Sequence, residues 1–269
     1  MVEVGIIGCG NMGSAIASAL CGNPGFRVTV FDSAPSVTSA FVRANPGARA
    51  ADCVQALTAS ASFVVLAVKP QTLPSLYPVL RGCGSESKKW ISIAAGVDLD
   101  TLVRNLGTSE VVRFMPNISA RVKSAVTAVA AAPGASEQTL RTALEIAGAF
   151  GSAFVLEENL FSAFIGTSSS AIAYILQFLH ALALGGEAQG IPYETAIRMA
   201  GDTMTGAVKL LQSSDKGAPE LEKSVCSPGG TTIEGVKVLE DEHFNDTVIR
   251  AVAAAAQKAG IMEEAAKKA

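Results

Sequence analysis

Gly8-Cys9-Gly10-Asn11-Met12-Gly13 stands between a short apolar run of strand type, Val2-Glu3-Val4-Gly5-Ile6-Ile7, and a helix-forming stretch over residues 14–20. Few folds can absorb a G-x-G-x-x-G loop in that position. The first glycine permits a tight turn, the second lets a pyrophosphate approach the backbone, and the third lets helix and strand pack closely. A second strand-like run, Arg27-Val28-Thr29-Val30-Phe31, ends in Asp32, about twenty residues past the loop, where a carboxylate can take the 2′-hydroxyl of an adenine ribose. Together these features specify a dinucleotide site. A carboxylate there repels a 2′-phosphate and so favours NADH. Ser33 and Ser36 can nevertheless donate to a phosphate, and the positions of Arg27 and Arg43 are not fixed by sequence, so both reduced cofactors stay open.

The first half continues in the α/β manner. Residues 62–68, 90–94 and 110–115 are near-continuously apolar, as parallel strands covered on both faces should be. Helical patterns lie between them at 71–81 and 98–106, and β-like pieces at 125–131 and 152–156 flank a helix at 136–148. Beyond residue 158 the strand signal stops. Residues 160–188, 193–213, 218–225, 231–240 and 245–266 read as helices. The expected fold class is therefore α/β, a doubly wound sheet over residues 1–157 followed by an all-helical domain over 158–269.

Residues 160–188 are apolar nearly all round, which fits a core or a subunit interface better than a membrane span, since no second span or Lys/Arg flank accompanies them. Pairing with another copy is expected, closed two-fold dimers being the commonest solution. Charged residues make up 17% of the chain and the net charge is −3, so there is no basic field to draw nucleic acid. Five scattered cysteines, Cys9, Cys21, Cys53, Cys83 and Cys226, argue against a disulfide framework and a cysteine metal site, and each is expected as a small core residue. His180 and His243 are each expected within a helix, with no neighbour suggesting a triad or a metal. A strand that starts at residue 2 leaves no room for a leader, so the expected compartment is the cytoplasm.

Ser227-Pro228-Gly229-Gly230-Thr231-Thr232 precedes a further helical stretch. Two glycines let the backbone approach a ligand, hydroxyls flank them, and the free N–H groups of a helix start suit a small anion such as a carboxylate. An ordinary N-cap, with Thr231 or Thr232 satisfying its own helix, explains the hexapeptide equally well.

Ala67-Val68-Lys69-Pro70-Gln71, Ala94-Ala95-Gly96-Val97 and Met115-Pro116-Asn117, each after a strand, and Lys223-x-Val225-x-Ser227-Pro228-Gly229-Gly230-Thr231-Thr232 follow in an order and spacing that resembles the pyrroline-5-carboxylate reductases over nearly the whole chain. The last motif is the specific one; the others also occur in related dehydrogenases. The resemblance implies an N-terminal Rossmann domain and a C-terminal helical dimerisation domain, often assembled into rings of dimers. It also implies reduction of 1-pyrroline-5-carboxylate to L-proline, the last step of proline biosynthesis, with NADPH or NADH. By position it puts cofactor contacts on Gly8, Cys9, Gly10, Asn11, Met12, Gly13, Asp32, Ser33, Ala67, Val68, Lys69, Pro70, Ala95 and Gly96. Lys69 is equally a solvated surface group, and Asn117 is either a turn residue or a polar contact near the nicotinamide. The same resemblance puts the substrate carboxylate on Gly230, Thr231 and Thr232 beside Ser227, with Glu158 facing the ligand and Thr232, or a water it holds, relaying the proton; Glu158 alone is equally well a helix-start carboxylate.

The chain departs from the family pattern at Ser168-Ser169-Ser170-Ala171-Ile172-Ala173-Tyr174, where Ser-Gly-Ser-Gly-Pro-Ala-Tyr is usual. Met115-Pro116-Asn117 is also followed by Ile118-Ser119 rather than Thr-Pro, and Ser224 and Ile165 replace a frequent Asp or Asn and a frequent Thr. Two other classes therefore stand beside the reductase: a related Rossmann hydroxy-acid dehydrogenase, for which no helix with a catalytic Lys and its Gly and Asn partners is seen, and a dinucleotide-binding paralogue without catalysis.

Overall fold

The structure, a computed structural model, describes residues 1–268. In chain order the first part comprises β1 (Val2–Ile7), α1 (Asn11–Cys21), β2 (Phe26–Phe31), α2 (Pro35–Ala44), β3 (Ala48–Ala50), α3 (Val54–Ser60), β4 (Phe63–Leu66), α4 (Leu73–Arg81), β5 (Lys89–Ser92), α5 (Leu99–Leu106), β6 (Val111–Pro116), β7 (Ala125–Ala131), α6 (Glu137–Gly148) and β8 (Gly151–Val155). The strands form one sheet in the order β3-β2-β1-β4-β5-β6-β7-β8. All neighbours are parallel except β6 and β7, which run antiparallel with Phe114 opposite Val129.

The period-two pleat divides the sheet's side chains between two cores. Val4, Ile6, Val28, Val30 and Val65 point to the face covered by Ile16 and Leu20 of α1 and Ile146 of α6. Ile7, Val64, Leu66 and Trp90 point to the other, against Leu57, Leu80, Leu102 and Leu106 of α3, α4 and α5. Trp90 is fully buried, and its indole N–H donates to the Ser85 carbonyl at 2.9 Å. Both faces are covered, which is why these strands read as unbroken apolar runs.

Glu110, just before β6, ties the sheet to α6. Its carboxylate accepts from the Ser136 hydroxyl at 3.0 Å and from the Thr139 hydroxyl, while Ser136 caps the helix through the Thr139 N–H at 3.2 Å. The Thr139 bond holds the Glu110 carboxyl below its ordinary value of 4.5, with Ser136 and Lys89 adding to the effect and burial opposing it. A carboxylate depressed in the folded state stabilises fully above its unfolded pKa and loses that contribution as pH falls through the folded one. Glu110→Gln should therefore lower the urea midpoint at neutral pH, and the gap from the parent should close progressively below pH 4.5.

The chain continues through a short helix, α7 (Phe161–Phe164), a π-helical turn at Ile165–Ser169, α8 (Ala171–Ala188), α9 (Tyr193–Gln212), α10 (Ala218–Val225), α11 (Thr231–Asp241) and α12 (Phe244–Lys268). Contacts divide the described residues into two compact units, one of Met1–Ser169 with residues 256–268, the other of Ser170–Ala255. Within the second, α8 and α9 pack against each other, and the Tyr174 hydroxyl donates to the Ala251 carbonyl at 3.2 Å. Only Ala183, Ala196 and Ala200 are buried there, whereas Leu176, Met199, Val238 and Ile249 are each more than half exposed. The stretch Glu158–Ala188 is long and apolar enough to cross a membrane by length and composition.

Several expectations are corrected. His243 is not helical: it takes a left-handed turn, φ 55°, between α11 and α12. Cys53 is exposed and caps α3, its sulfur accepting from the Ala56 N–H at 3.4 Å, rather than filling the core. The helical stretch after residue 160 is broken by the π turn, and the structure adds α2, β3 and α3 between β2 and β4, for which the sequence gives no specific reading.

Candidate active site

The strand order reverses between β1 and β4, the point at which open α/β sheets bind ligands beyond the strands' carboxyl ends. Gly8 sits at that point with φ +104°, and a Cβ on it would lie 2.6 Å from the Ala67 carbonyl oxygen and 3.1 Å from the Val68 nitrogen. Gly13, in the first turns of α1, is equally enclosed, since a Cβ there would run into the Gly8 carbonyl oxygen and approach the Ala67 Cβ at 2.9 Å. Gly10 differs. It occupies the N-cap of α1 with no side chain capping the helix, and beyond the adjoining chain no described atom lies within 4 Å of where its Cβ would be. The first N–H groups of α1 thus open onto empty space of the kind a pyrophosphate fills. Beside it a cavity of about 380 Å³ is lined by Gly10, Asn11, Ser14, Asn45 and Arg121.

Asp32 closes the other side of the loop. One carboxylate oxygen accepts from the Cys9 N–H at 2.8 Å and the other from the Ala34 N–H at 3.0 Å, while the Asp32 N–H donates to the Thr38 hydroxyl at 3.0 Å. The carboxylate is thereby held at the end of β2 with lone pairs left for ribose hydroxyls. Ser33, next to it, is exposed. Burial, with Asp32 adding to it, pushes the Cys9 thiol up to about 11, so it stays protonated and unreactive at neutral pH.

Beyond β4 and β5, Pro70 and Gly96 share a cavity of about 810 Å³ with Gln71, Tyr77, Val97 and Thr101. The Tyr77 hydroxyl is buried without a hydrogen-bond partner among the described residues, and burial, with Asp98 adding to it, pushes it up to about 12. Lys69 and Ala95 are exposed. Asn117 is buried and its carboxamide is already engaged: the oxygen accepts from the Ser119 and Val126 N–H groups, and the nitrogen donates to the Ser168 hydroxyl, all at 3.2 Å. That is turn chemistry extended to the π-helical Ile165–Ser169 segment, where the chain departs from the family pattern.

In the helical unit, Gly229 takes φ +70° and Gly230, not a threonine, occupies the N-cap of α11. No side chain caps this helix, so of the two readings of the hexapeptide the cap by Thr231 or Thr232 is not the one built. Ser227, Thr231 and Thr232 are exposed, the Gly230 N–H donates to the Ser227 carbonyl at 3.0 Å, and a Cβ on Gly230 would collide with the Ser227 hydroxyl. The segment is an uncapped helix start flanked by hydroxyls that have no hydrogen-bond partner among the described residues.

Glu158 lies in the sheet unit, half-buried, where it pairs with Arg113 at 2.7 Å and accepts from the Leu99 N–H at 2.9 Å. Sequence reading passed over Arg113 and Arg121. The first could have been suspected as a lone charge inside an apolar strand, the second as a cation soon after Met115-Pro116-Asn117.

A family model described as pyrroline-5-carboxylate reductase dimerisation matches residues 158–262, and one described as NADP oxidoreductase, coenzyme F420-dependent, matches residues 3–96. The pyrroline-5-carboxylate reductase of Aquifex aeolicus is 35% identical over 260 residues, covering 96% of each chain. That of Escherichia coli is 33% identical over 261 residues, covering 95% of this chain and 96% of its own. A solved structure of the Coxiella burnetii enzyme superposes with a TM-score of 0.87 at 28% identity, over 96% of this chain and 97% of that one. With its dinucleotide loop, its uncapped Ser-Pro-Gly-Gly-Thr-Thr helix start and end-to-end similarity to these proteins, the chain belongs to the pyrroline-5-carboxylate reductase family.

Proposed function

We propose that this protein reduces 1-pyrroline-5-carboxylate to L-proline with NADH or NADPH. The observation that carries the reading is the helix start at Gly230-Thr231-Thr232, an anion cradle with no capping side chain, in a chain that also carries a dinucleotide loop. The loop's residues fit the cofactor: Gly8 and Gly13 are closed to any side chain, whereas the space over Gly10 is open. When bound, the reduced nicotinamide supplies the hydride. The chain's own part is positional. Gly8 to Gly13 and Asp32-Ser33 hold the adenosine and pyrophosphate, and Ala67 to Pro70 with Ala95 and Gly96 shape the nicotinamide end. Gly230, Thr231, Thr232 and Ser227 hold the substrate carboxylate, and Thr232, directly or through water, passes a proton to the imine nitrogen. Asn117 contributes through the turn that it locks.

Residues 1–157 would form the nucleotide domain and 158–269 the dimerisation and substrate domain, with dimers arranged in a ring in the cytoplasm, away from nucleic acid and membrane. Apolar exposure on α8, α9, α11 and α12 supports burial against further copies of the chain.

Purified protein with the imine and either reduced cofactor should consume cofactor and yield proline. Ser227→Ala and Thr232→Ala should each raise KM for the imine by about tenfold, the worth of one charge-assisted hydrogen bond. Unchanged kinetics in both would remove the cradle from the site. Cofactor binding without turnover would instead favour a non-catalytic paralogue, the reading raised by Ser168–Tyr174.

A further inference from the structure

We infer that Arg113 is a positioning residue for the nicotinamide end of the site, acting through Glu158 on the loop that carries Ala95 and Gly96. The inference rests on the assignment of that loop to the cofactor. Arg113 lies in the middle of β6 with 1% of its side chain exposed. Its Nη1 donates to Glu158 at 2.7 Å and to Glu263 of α12 at 2.9 Å, and its guanidinium carbon stands 4.9 Å from the centre of the Phe161 ring. A cation so deeply placed is tolerated because two carboxylates face it.

The same oxygen of Glu158 that meets Arg113 also accepts from the Leu99 N–H at 2.9 Å. Leu99 is the first residue of α5, and the preceding segment from Ala94 to Asp98 includes Gly96 at φ +76°. One guanidinium therefore links three elements: the end of the last helix, the turn after β8, and the loop between β5 and α5. Glu158 on this geometry is a tether from Arg113 to the start of α5, rather than a group turned to the substrate. Without Arg113, two carboxylates are left facing each other across its place, and Glu158 is driven off Leu99.

The chain's single tryptophan, Trp90, lies in β5 a few residues before this loop, and energy transfer from it to bound NADH reports cofactor affinity without any turnover. Glu158→Ala and Arg113→Met should each weaken NADH binding by about tenfold or more, as a misplaced contact loop does, while KM for pyrroline-5-carboxylate stays within about twofold. Glu263→Gln keeps the shape of its side chain and should shift NADH affinity in the same direction by a smaller factor. It serves as the folded test should Arg113→Met be unstable. A purely architectural role would lower the melting temperature of Glu263→Gln and leave its NADH affinity unchanged, which overturns the inference. So does a rise in imine KM at unchanged NADH affinity in Glu158→Ala, because Glu158 would then face the substrate. Failure of the parent protein to turn over the imine would sink the proposed activity and leave the binding comparison intact.

Discussion

Gly10→Ala is expected to fold as the parent does and to lose reduced-dinucleotide binding by about a hundredfold or more, whereas Gly13→Ala loses both binding and stability. The two glycines lie three residues apart, but their surroundings are opposite. Beyond the adjoining chain no described atom stands within 4 Å of a Cβ on Gly10, so the added methyl fills instead the space that the pyrophosphate would enter. A Cβ on Gly13 meets the Gly8 carbonyl and, at 2.9 Å, the Ala67 Cβ, so β1, α1 and the segment after β4 must separate. Overpacking of this kind costs about 1–3 kcal/mol, and each kcal/mol lowers the melting temperature by roughly 2–4 °C in a chain of this size. Thermal melts and NADH titrations of the two variants separate the effects. An unchanged NADH affinity in Gly10→Ala would remove the glycine loop from the cofactor site.

Asp32→Ser should move the preference from NADH towards NADPH by about a hundredfold in the ratio of kcat/KM values. The carboxylate is held by the Cys9 and Ala34 N–H groups at the end of β2, so it cannot swing away from a 2′-phosphate without giving up both bonds. A full charge pair at about 4 Å is worth roughly 1–4 kcal/mol near a protein surface, and about 1.4 kcal/mol corresponds to a factor of ten. Serine removes the repulsion and can donate to the phosphate. Measuring kcat/KM with both cofactors in parent and variant decides it, and a parent that already prefers NADPH would refute the role given to Asp32.

The sheet unit was legible because two covered faces force unbroken apolar strands, and because only glycine fits Gly8 and Gly13. What escaped has physical reasons. β3 is three residues long with Arg49 and Ala50 exposed, so it carries no hydrophobic pattern to read. The antiparallel run of β7 leaves no mark on composition, since Ala125–Ala131 pleats identically in either direction. His243 falls in the gap already read between the helices at 231–240 and 245–266, but its left-handed turn carries no glycine or asparagine to mark it. In the candidate site, the cradle at 227–232 could be seen as an anion site or a cap, and only the backbone revealed that Gly230 takes the cap and the threonines do not. Arg113 stood in plain view within Val111-Val112-Arg113-Phe114, but its partners are 45 and 150 residues further along the chain.

The unit spanning Ser170–Ala255 shields three alanines and no larger side chain, so by itself it has almost no oil to hold it together. The matching family segment is a dimerisation module, and where self-association supplies the missing interior, folding of this half depends on protein concentration. Dilution then behaves like a mild denaturant, and any melting point measured for this protein belongs to the concentration at which it was taken.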